Sequence, residues 1–254
     1  MKAVELEIDA GRDREGNPET FGTLHLRTGD LVALVGPTGS GKSRLLADIE
    51  WLSQGDSPTG RHVRIHHADG TEPSDNPLHR VAQLSQSMQF TLDLDVGSFL
   101  QLHARAREVP DPHEAVARVV ESACTLCGES FSVATHLSAL SGGQSRALMI
   151  SDTAILARAP VVLVDEVENA GVDRRRAMDL LVSEDKIVLL ATHDPLLALL
   201  APWRLVFSHG GIRSVRERTE SEEELLHEFE LLDQRQGEVR ERLRGGHSAV
   251  AGED

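Results

Sequence analysis

Short apolar runs separated by longer helical stretches mark the central part of the chain. Several runs are apolar without interruption, as is typical of strands buried on both faces of a sheet. The predicted strands are LVALVG (31–36), VAQLS (81–85), VVLVDE (161–166), KIVLLATHD (186–194) and RLVFSHG (204–210). Because helical segments alternate with them, the pattern predicts an α/β domain with a mainly parallel core sheet.

A helical insertion interrupts this alternation. Residues 109–131, VPDPHEAVARVVESACTLCGESF, have a helical pattern and lie between two predicted strands. We therefore expect a helical subdomain at roughly 88–150, inside a domain that covers 1–213. No sequence period repeats along the chain, which excludes solenoids and propellers.

The C-terminal segment, 214–254, is predicted to be a helix followed by a disordered tail, HSAVAGED. Its apolar stripe recurs at alternating spacings of four and three residues, and Gly245 and Gly246 then end the helix. The stripe consists of Leu225, Phe229, Leu232, Gln236, Val239 and Leu243. Two interpretations stay open: the helix docks on its own domain, or it binds a partner or a second copy.

Composition limits the possible functions. A chain of 254 residues that is 40% hydrophobic can bury a sizeable core, and its net charge of −15 disfavours nucleic-acid binding. Two cysteines and no signal-peptide pattern at the N-terminus indicate a reducing cytoplasm. No apolar run approaches the ~20 residues of a membrane helix, so any membrane span would belong to another chain.

The sequence GPTGSGKS follows a predicted strand and precedes a helix, which is the context of a phosphate-binding loop. Glycines let backbone N–H groups approach phosphate oxygens, Lys42 reaches the β and γ phosphates, and Ser43 offers a hydroxyl to Mg²⁺. A chance glycine-rich turn is the alternative. The predicted nucleotide-binding residues here are Gly36, Pro37, Thr38, Gly39, Ser40, Gly41, Lys42, Ser43 and Arg44.

Two acids at the end of the strand VVLVDE complete a hydrolytic centre. Asp165 is placed to hold Mg²⁺ through water and Glu166 to polarise the attacking water. Both lie at the carboxyl edge of the predicted sheet, where α/β proteins bind ligands. They would otherwise only be the polar end of a strand.

A second glycine-rich stretch, LSGGQ (140–144), has no lysine. Ser141 and Gln144 form a capping box, and the helix start that they cap also presents a positive end to an anion. GPTGSGKS, LSGGQ and Asp165-Glu166, in this order along the chain, resemble the Walker A, signature and Walker B motifs of the ATP-binding cassette (ABC) ATPases. The resemblance covers roughly residues 20 to 210.

That resemblance implies a P-loop NTPase fold of ABC type with a small β subdomain and the helical insertion. It also implies that Ser141, Gly142, Gly143 and Gln144 hold the γ-phosphate of ATP bound to a second, antiparallel cassette. Two copies, or one copy and a relative, would then meet around two ATPs.

Three further positions follow the family pattern. Gln86 resembles the Q-loop glutamine, which senses Mg²⁺ and the attacking water and precedes a segment that meets a transport partner. His193 resembles the switch histidine at the γ-phosphate. Residues 169–173, NAGVD, resemble the D-loop, with Asp173 as its aspartate.

The chain departs from the family in several places. No aromatic residue precedes the phosphate loop where the family stacks adenine, so affinity should rest on the triphosphate and Mg²⁺, with Arg12 as a candidate to stack on the base. Asp152 replaces an arginine after the signature, from which we expect a different helix surface. Cys124 and Cys127 form one lone pair, which favours buried helix cysteines over a zinc site.

The resemblance therefore implies an ATPase that uses ATP and Mg²⁺ and couples dimerisation to transport through separate membrane subunits. It would lie in the cytoplasm, or peripherally at the inner face of the cell membrane. Two alternatives stay open: a soluble ABC ATPase doing assembly or mechanical work, and a nucleotide-gated scaffold, against which Glu166 and His193 count.

Overall fold

The computed structural model describes residues 3–67, 80–85, 90–165 and 171–249. Its strands are β1 (Val4–Asp9), β2 (Thr23–Arg27), β3 (Leu31–Val35), β4 (Val63–His67), β5 (Val81–Ser85), β6 (Val161–Asp165), β7 (Ile187–Ala191), β8 (Trp203–Ser208) and β9 (Gly211–Glu217). Its helices are α1 (Lys42–Glu50), α2 (Val96–Ala106), α3 (Pro112–Cys127), α4 (Gly142–Ile155), α5 (Arg174–Ser183), α6 (Pro195–Leu200) and α7 (Glu220–Arg244).

The core sheet has six strands in the order β5-β6-β7-β3-β8-β9, and all neighbours are parallel except β8 and β9. All five predicted strands lie in it. The residues of β7 are all buried, as are the first four of β3 and of β6, which explains their unbroken apolar sequences. Since parallel strands end at the same edge, the last residues of β3, β5, β6 and β7 lie there together.

A second, antiparallel sheet in the order β2-β1-β4 forms the small β subdomain. The sequence of β1, VELEID, alternates strictly between buried and half-buried positions. Its inward side chains, Val4, Leu6 and Ile8, pack with α1 and with one face of the core sheet. Alternation of this kind is typical of a strand with one face on the core.

The predicted helical insertion is present between β5 and β6. Helices α2 and α3 begin at Asp95 and Asp111, whose side chains accept hydrogen bonds from backbone N–H groups of the first turn. Helix α4 continues to Ile155, past the boundary expected near 150. The division into domains otherwise stays a prediction.

Asp152 does not form a different helix surface, so that expectation was wrong. The side chain is buried and accepts hydrogen bonds from His103 Nδ1 at 3.0 Å and from Arg107 Nη1 at 3.1 Å. Both partners lie on or beside α2. The acid therefore joins α4 to α2 inside the helical subdomain.

One buried ion cluster connects the two sheets. Arg61 is fully buried and donates to Asp48 of α1 at 2.8 Å and to both carboxylate oxygens of Glu19. Glu19 also accepts from the backbone N–H groups of Gly11 and Ile212. The cluster thereby holds the loop between β1 and β2 against β9 and α1.

Helix α7 docks on its own domain, as one interpretation predicted, but through a face that centres on Leu226 and shares Phe229 with the predicted stripe. Leu226 is buried against Leu196 and Leu199 of α6, with Phe229 packed beside them. The stripe residues Leu232 and Leu243 are 56% and 58% exposed. Within the described ranges, no helix is long and apolar enough to cross a bilayer.

Candidate functional site

The phosphate loop joins β3 to α1 and is shaped by glycine. Gly41 has φ 113°, a left-handed conformation, and a side chain there would meet the backbone of Gly210 at 2.7 Å. Gly36, with φ 150°, lies equally close to the carbonyl oxygen of Phe207. Only glycine satisfies both conditions, so the loop sequence follows from its tight contact with the β8–β9 turn.

Lys42 folds back over the loop that it follows. Its Nζ donates to the carbonyl oxygens of Gly36 at 2.6 Å and Pro37 at 3.2 Å. An open cleft of about 410 Å³ lies at this loop. It is lined by Arg14, Thr38, Gly39, Ser40, Gly41, Lys42, Ser43, Arg44, Ala47, Asp165 and His193. The cleft therefore brings most of the predicted phosphate loop together with two residues from distant strands.

Sheet register explains how Asp165 and His193 reach this cleft. Asp165 is the last residue of β6 and lies opposite Ala191, the last residue of β7. His193 follows two residues later, and the N–H of Thr192 between them donates to the carbonyl of Leu34 in β3. Three adjacent strands thus end side by side at the phosphate loop.

Two of the predicted catalytic residues lie outside the described ranges. Gln86 follows Ser85, the last residue of β5, and Glu166 follows Asp165; Ser85 and Asp165 are paired across the sheet. Their roles stay predictions, as do Asn169 and Ala170 of the predicted D-loop.

The signature stretch forms the predicted capping box at the start of α4. Ser141 Oγ accepts from Gln144 N at 3.2 Å, and Gln144 Oε1 accepts from Ser141 N at 2.9 Å. Ser141 and Gly142 are exposed, and none of residues 141–144 lines the cleft at the phosphate loop. The exposed helix start is thus separate from its own nucleotide cleft.

The described end of the D-loop lies against this helix start. A side chain at Gly143 would meet the carbonyl oxygen of Gly171 at 2.8 Å, so the two backbones are in close contact. Asp173 caps α5 by accepting from Arg176 N at 3.0 Å. A nucleotide role for Asp173 stays a prediction.

The next residue, Arg174, connects two regions of the chain. It forms ion pairs with Asp194, which caps α6 directly after His193, and with Asp233 of α7. Its neighbour Arg175 pairs with Glu230 of α7. The sequence alone does not reveal this link, because the partners come from three separate segments.

Arg12, the predicted candidate for the adenine base, does not line the cleft. Its Nη1 donates to the carbonyl of Gly16 at 3.0 Å, within its own loop. Arg14 lines the cleft instead, with its side chain over Gly210. Asp13 holds this loop by accepting from Asn17, a hydrogen bond that lowers the pKa of the Asp13 carboxyl.

A second open groove, about 400 Å³ in volume, lies between β5 and the helical subdomain. Apolar side chains, including Phe90, Leu92, Phe99 and Met149, line much of it. Leu92 is 47% exposed although it is apolar. Phe90 and Leu92 belong to the segment after Gln86, which is the segment predicted to meet a transport partner.

Cys124 and Cys127 are half-buried on α3. Cys124 Sγ lies 3.5 Å from the carbonyl of Phe131, and burial raises the pKa of the Cys127 thiol. A raised pKa keeps the thiol protonated at neutral pH, whereas metals bind the thiolate. Among the residues that the structure describes, no group of three acidic, histidine or cysteine side chains could hold a metal.

Comparisons with known proteins give consistent results. The family model described as "ABC transporter" matches residues 22–169. An uncharacterized ABC transporter ATP-binding protein of Methanocaldococcus jannaschii is 41% identical over 251 residues, which cover 97% of this chain and 95% of that protein. The cobalamin import ATP-binding protein BtuD of Halobacterium salinarum is 29% identical over 66% of this chain and 43% of its own length.

Solved structures share the fold. The cbiO1 structure from Clostridium perfringens, part of the ABC transporter complex cbiONQ, superposes with a TM-score of 0.60 at 20% identity, over 93% of this chain and 98% of that one. An ATP-binding subunit of an ABC transporter gives a TM-score of 0.63 at 19% identity, over 84% and 89%.

Proposed function

Because the chain belongs to the ABC transporter family and is its ATP-hydrolysing subunit, we propose that ATP and Mg²⁺ bind in the cleft at the phosphate loop. The supporting observation is that Lys42, Asp165 and His193 line one cleft although they come from three segments of the chain. Coupling of hydrolysis to transport is the function of this family, which favours transport over the soluble alternatives.

In this proposal the chain's own groups bind and orient the triphosphate. Lys42 leaves the carbonyls of Gly36 and Pro37 and donates to the β and γ phosphates, while loop N–H groups hold their oxygens. Ser43 and Asp165 offer the hard oxygen ligands that Mg²⁺ prefers. When bound, Mg²⁺ neutralises charge that develops on the phosphates.

Hydrolysis requires a water positioned in line with the γ-phosphate. Glu166, whose position directly follows Asp165, orients that water and accepts its proton, and His193 at the cleft wall donates to the γ-phosphate. The products are ADP and inorganic phosphate. The glutamine at position 86 completes the contacts to Mg²⁺ and the water.

A second cassette completes the site. The exposed helix start at Ser141 presents backbone N–H groups and a positive dipole end, yet it does not line its own cleft. We therefore assign it to the γ-phosphate bound by another cassette, with two ATPs enclosed between two copies or between this chain and a relative. ATP should strengthen this association.

Membrane subunits are the proposed partners in transport. The groove lined by Phe90 and Leu92 offers apolar surface beside the first residues of β5, on which a segment of a membrane subunit would dock. Among the solved structures with this fold, cbiO1 is part of the ABC transporter complex cbiONQ. This arrangement would place the chain at the cytoplasmic face of a membrane.

The experiment compares two neighbouring acids. Replacing Glu166 with Gln should leave ATP binding intact and lower the rate of hydrolysis by about 10²–10⁴-fold. Glu168→Gln, two residues away, is the matched control and should keep wild-type turnover, while Lys42→Ala should lose ATP binding. Phosphate release measures the rate of hydrolysis, and calorimetry measures ATP binding in each chain. Wild-type turnover in Glu166→Gln would contradict the mechanism.

A further inference from the structure

Among the residues that the structure describes, the contacts of helix α7 with the rest of the cassette are concentrated in its first half. The helix is 25 residues long. The contacts described between it and the rest of the domain lie between Glu222 and Asp233: Glu222 with Arg204, Leu226 with α6, and the ion pairs to Arg174 and Arg175. Beyond Asp233, most residues up to Leu243 are exposed.

The exposed side of α7 carries the apolar stripe defined above, from Leu225 to Leu243. Leu225, Leu232 and Leu243 are 41%, 56% and 58% exposed. Docking uses Leu226 and the residues that follow it at helical spacing, about a quarter turn away around the helix. Of the stripe, Phe229 packs beside Leu226 in the docking contact, whereas Leu225, Leu232 and Leu243 stay exposed after the helix has docked. The four–three spacing of the stripe is that of a coiled-coil seam.

Charge is divided along the helix. In the first part, 220–233, every titratable side chain except His227 is acidic. These acids are Glu220, Glu222, Glu223, Glu224, Glu228, Glu230 and Asp233. The remainder, 234–244, carries Arg235, Arg240, Arg242 and Arg244 against Glu238 and Glu241. An antiparallel partner of the same sequence places the basic part of each helix against the acidic part of the other.

From the stripe and this charge pattern we propose that α7 pairs antiparallel with α7 of a second copy of this chain. In that register Leu225 lies opposite Leu243, Phe229 opposite Val239, and Leu232 opposite Gln236, with Glu228 beside Arg242 on each flank. In a parallel pair, Glu228 would meet Asp233 and Arg235 would meet Arg240, which are like charges. In the antiparallel pair like charges meet only at the centre, where Arg235 and Asp233 each face their own copy. An isologous contact of this kind closes as a dimer.

The position of α7 agrees with a second copy as the occupant. Its middle is ion-paired to Arg174 and Arg175, which directly follow Asp173 of the D-loop. The proposed function places the helix start at Ser141 at the interface between two cassettes, and Gly171 of the D-loop lies against Gly143 of that helix start. The inference rests on the proposed function in this respect. The part of α7 that follows Asp233 thus begins next to the surface of the cassette that is assigned to the second copy.

The pairing would hold two cassettes together between rounds of ATP binding. The nucleotide-free chain should therefore associate into dimers at about 10–100 µM in sedimentation velocity. Leu232→Glu should raise the dimer dissociation constant at least about tenfold. Leu231→Glu is the matched control, because Leu231 is 53% exposed but lies off the stripe, and it should leave the constant within about twofold.

A charge exchange tests the orientation without an apolar substitution. Glu228→Arg and Arg242→Glu should each weaken the nucleotide-free dimer, and the double exchange should restore it. A monomeric wild-type chain at about 100 µM would overturn the proposal, as would equal effects of Leu231→Glu and Leu232→Glu. A double exchange that does not restore the dimer would exclude the antiparallel arrangement.

This test is separate from that of the proposed function. The Leu232→Glu, Glu166→Gln chain should still dimerise when ATP is added, because the cassettes then meet through the nucleotide. Loss of ATP-driven dimerisation in that chain, with the nucleotide-free pairing of Glu166→Gln intact, would contradict the two-cassette site and leave the α7 contact standing. If the Glu166→Gln chain dimerises with ATP but does not pair without nucleotide, the α7 contact is contradicted and the two-cassette site stands.

Discussion

Lys186 is a buried lysine whose charge is held by backbone carbonyls. It is 1% exposed, and its Nζ donates to the carbonyl oxygens of Ala157 and Ala159 just beyond α4. Burial lowers its pKa to about 8. Above that pH the folded chain has lost the proton, while the unfolded chain keeps it until its ordinary pKa of 10.5.

Since the unfolded state then binds more protons, stability attributable to Lys186 rises with pH above 8. The free energy of unfolding of wild type relative to Lys186→Met should increase by about 1–2 kcal/mol between pH 7.5 and 9.5. Urea unfolding of both chains across this range measures it. A difference that stays constant would show that Lys186 titrates alike in both states.

Single residues could be predicted from the sequence where the motif that places them is local. Gly41 and Lys42 lie within one loop, so GPTGSGKS predicted their surroundings directly. The partner of a charged residue is harder to predict, because it can come from anywhere in the chain. Arg14 was missed and Arg12 chosen, since both lie in a loop whose direction is set by contact with the β8–β9 turn.

At the scale of elements, the α2–α4 contact depends on one carboxylate. Asp152 accepts from residues 45 and 49 positions away in sequence, Arg107 and His103. Asp152→Asn removes the charge and leaves Arg107 facing a neutral amide. We expect a loss of about 1–3 kcal/mol in the free energy of unfolding.

A matched control for this substitution is Asp179→Asn. The Asp179 side chain is 64% exposed and has an i,i+4 partner in Arg175 at 3.8 Å. Such exposed pairs contribute about 0.3–0.5 kcal/mol. Chemical denaturation of the three chains tests the difference; equal losses would mean that Asp152 does not join the helices.

Elements were predictable where their pattern is one-sided or continuous. The strands β3, β5, β6, β7 and β8 have short apolar runs that local sequence reveals, and the capped starts of α2 and α4 are also local. Helix α7 shows the limit: its period predicted a helix and an apolar stripe, but its docking face depends on α5 and α6. The ion pairs that Arg174 and Arg175 form with Asp233 and Glu230 lie on that docking face.

At the scale of the whole molecule, the groove beside β5 should decide where a membrane partner docks. Leu92→Glu places a charge in the groove and should release the chain from membranes that contain its partner subunits, while ATP binding is retained. Leu102→Glu is the control, because Leu102 is 52% exposed and does not line the groove. Membrane sedimentation with tagged chains measures both; equal retention would move the docking site elsewhere.

The cluster of Glu19, Arg61 and Asp48 also constrains how this sequence can change over generations. Two buried carboxylates share one buried guanidinium. Loss of either acid leaves Arg61 neutralised by the other, whereas loss of the arginine first leaves two buried negative charges without a counterion. A descendant lineage can therefore discard one acid first, but an apolar version of this junction is reached at least cost if the arginine is replaced before the second acid. A buried guanidinium without a carboxylate cannot lose its charge, whereas a lone buried carboxyl can take up a proton.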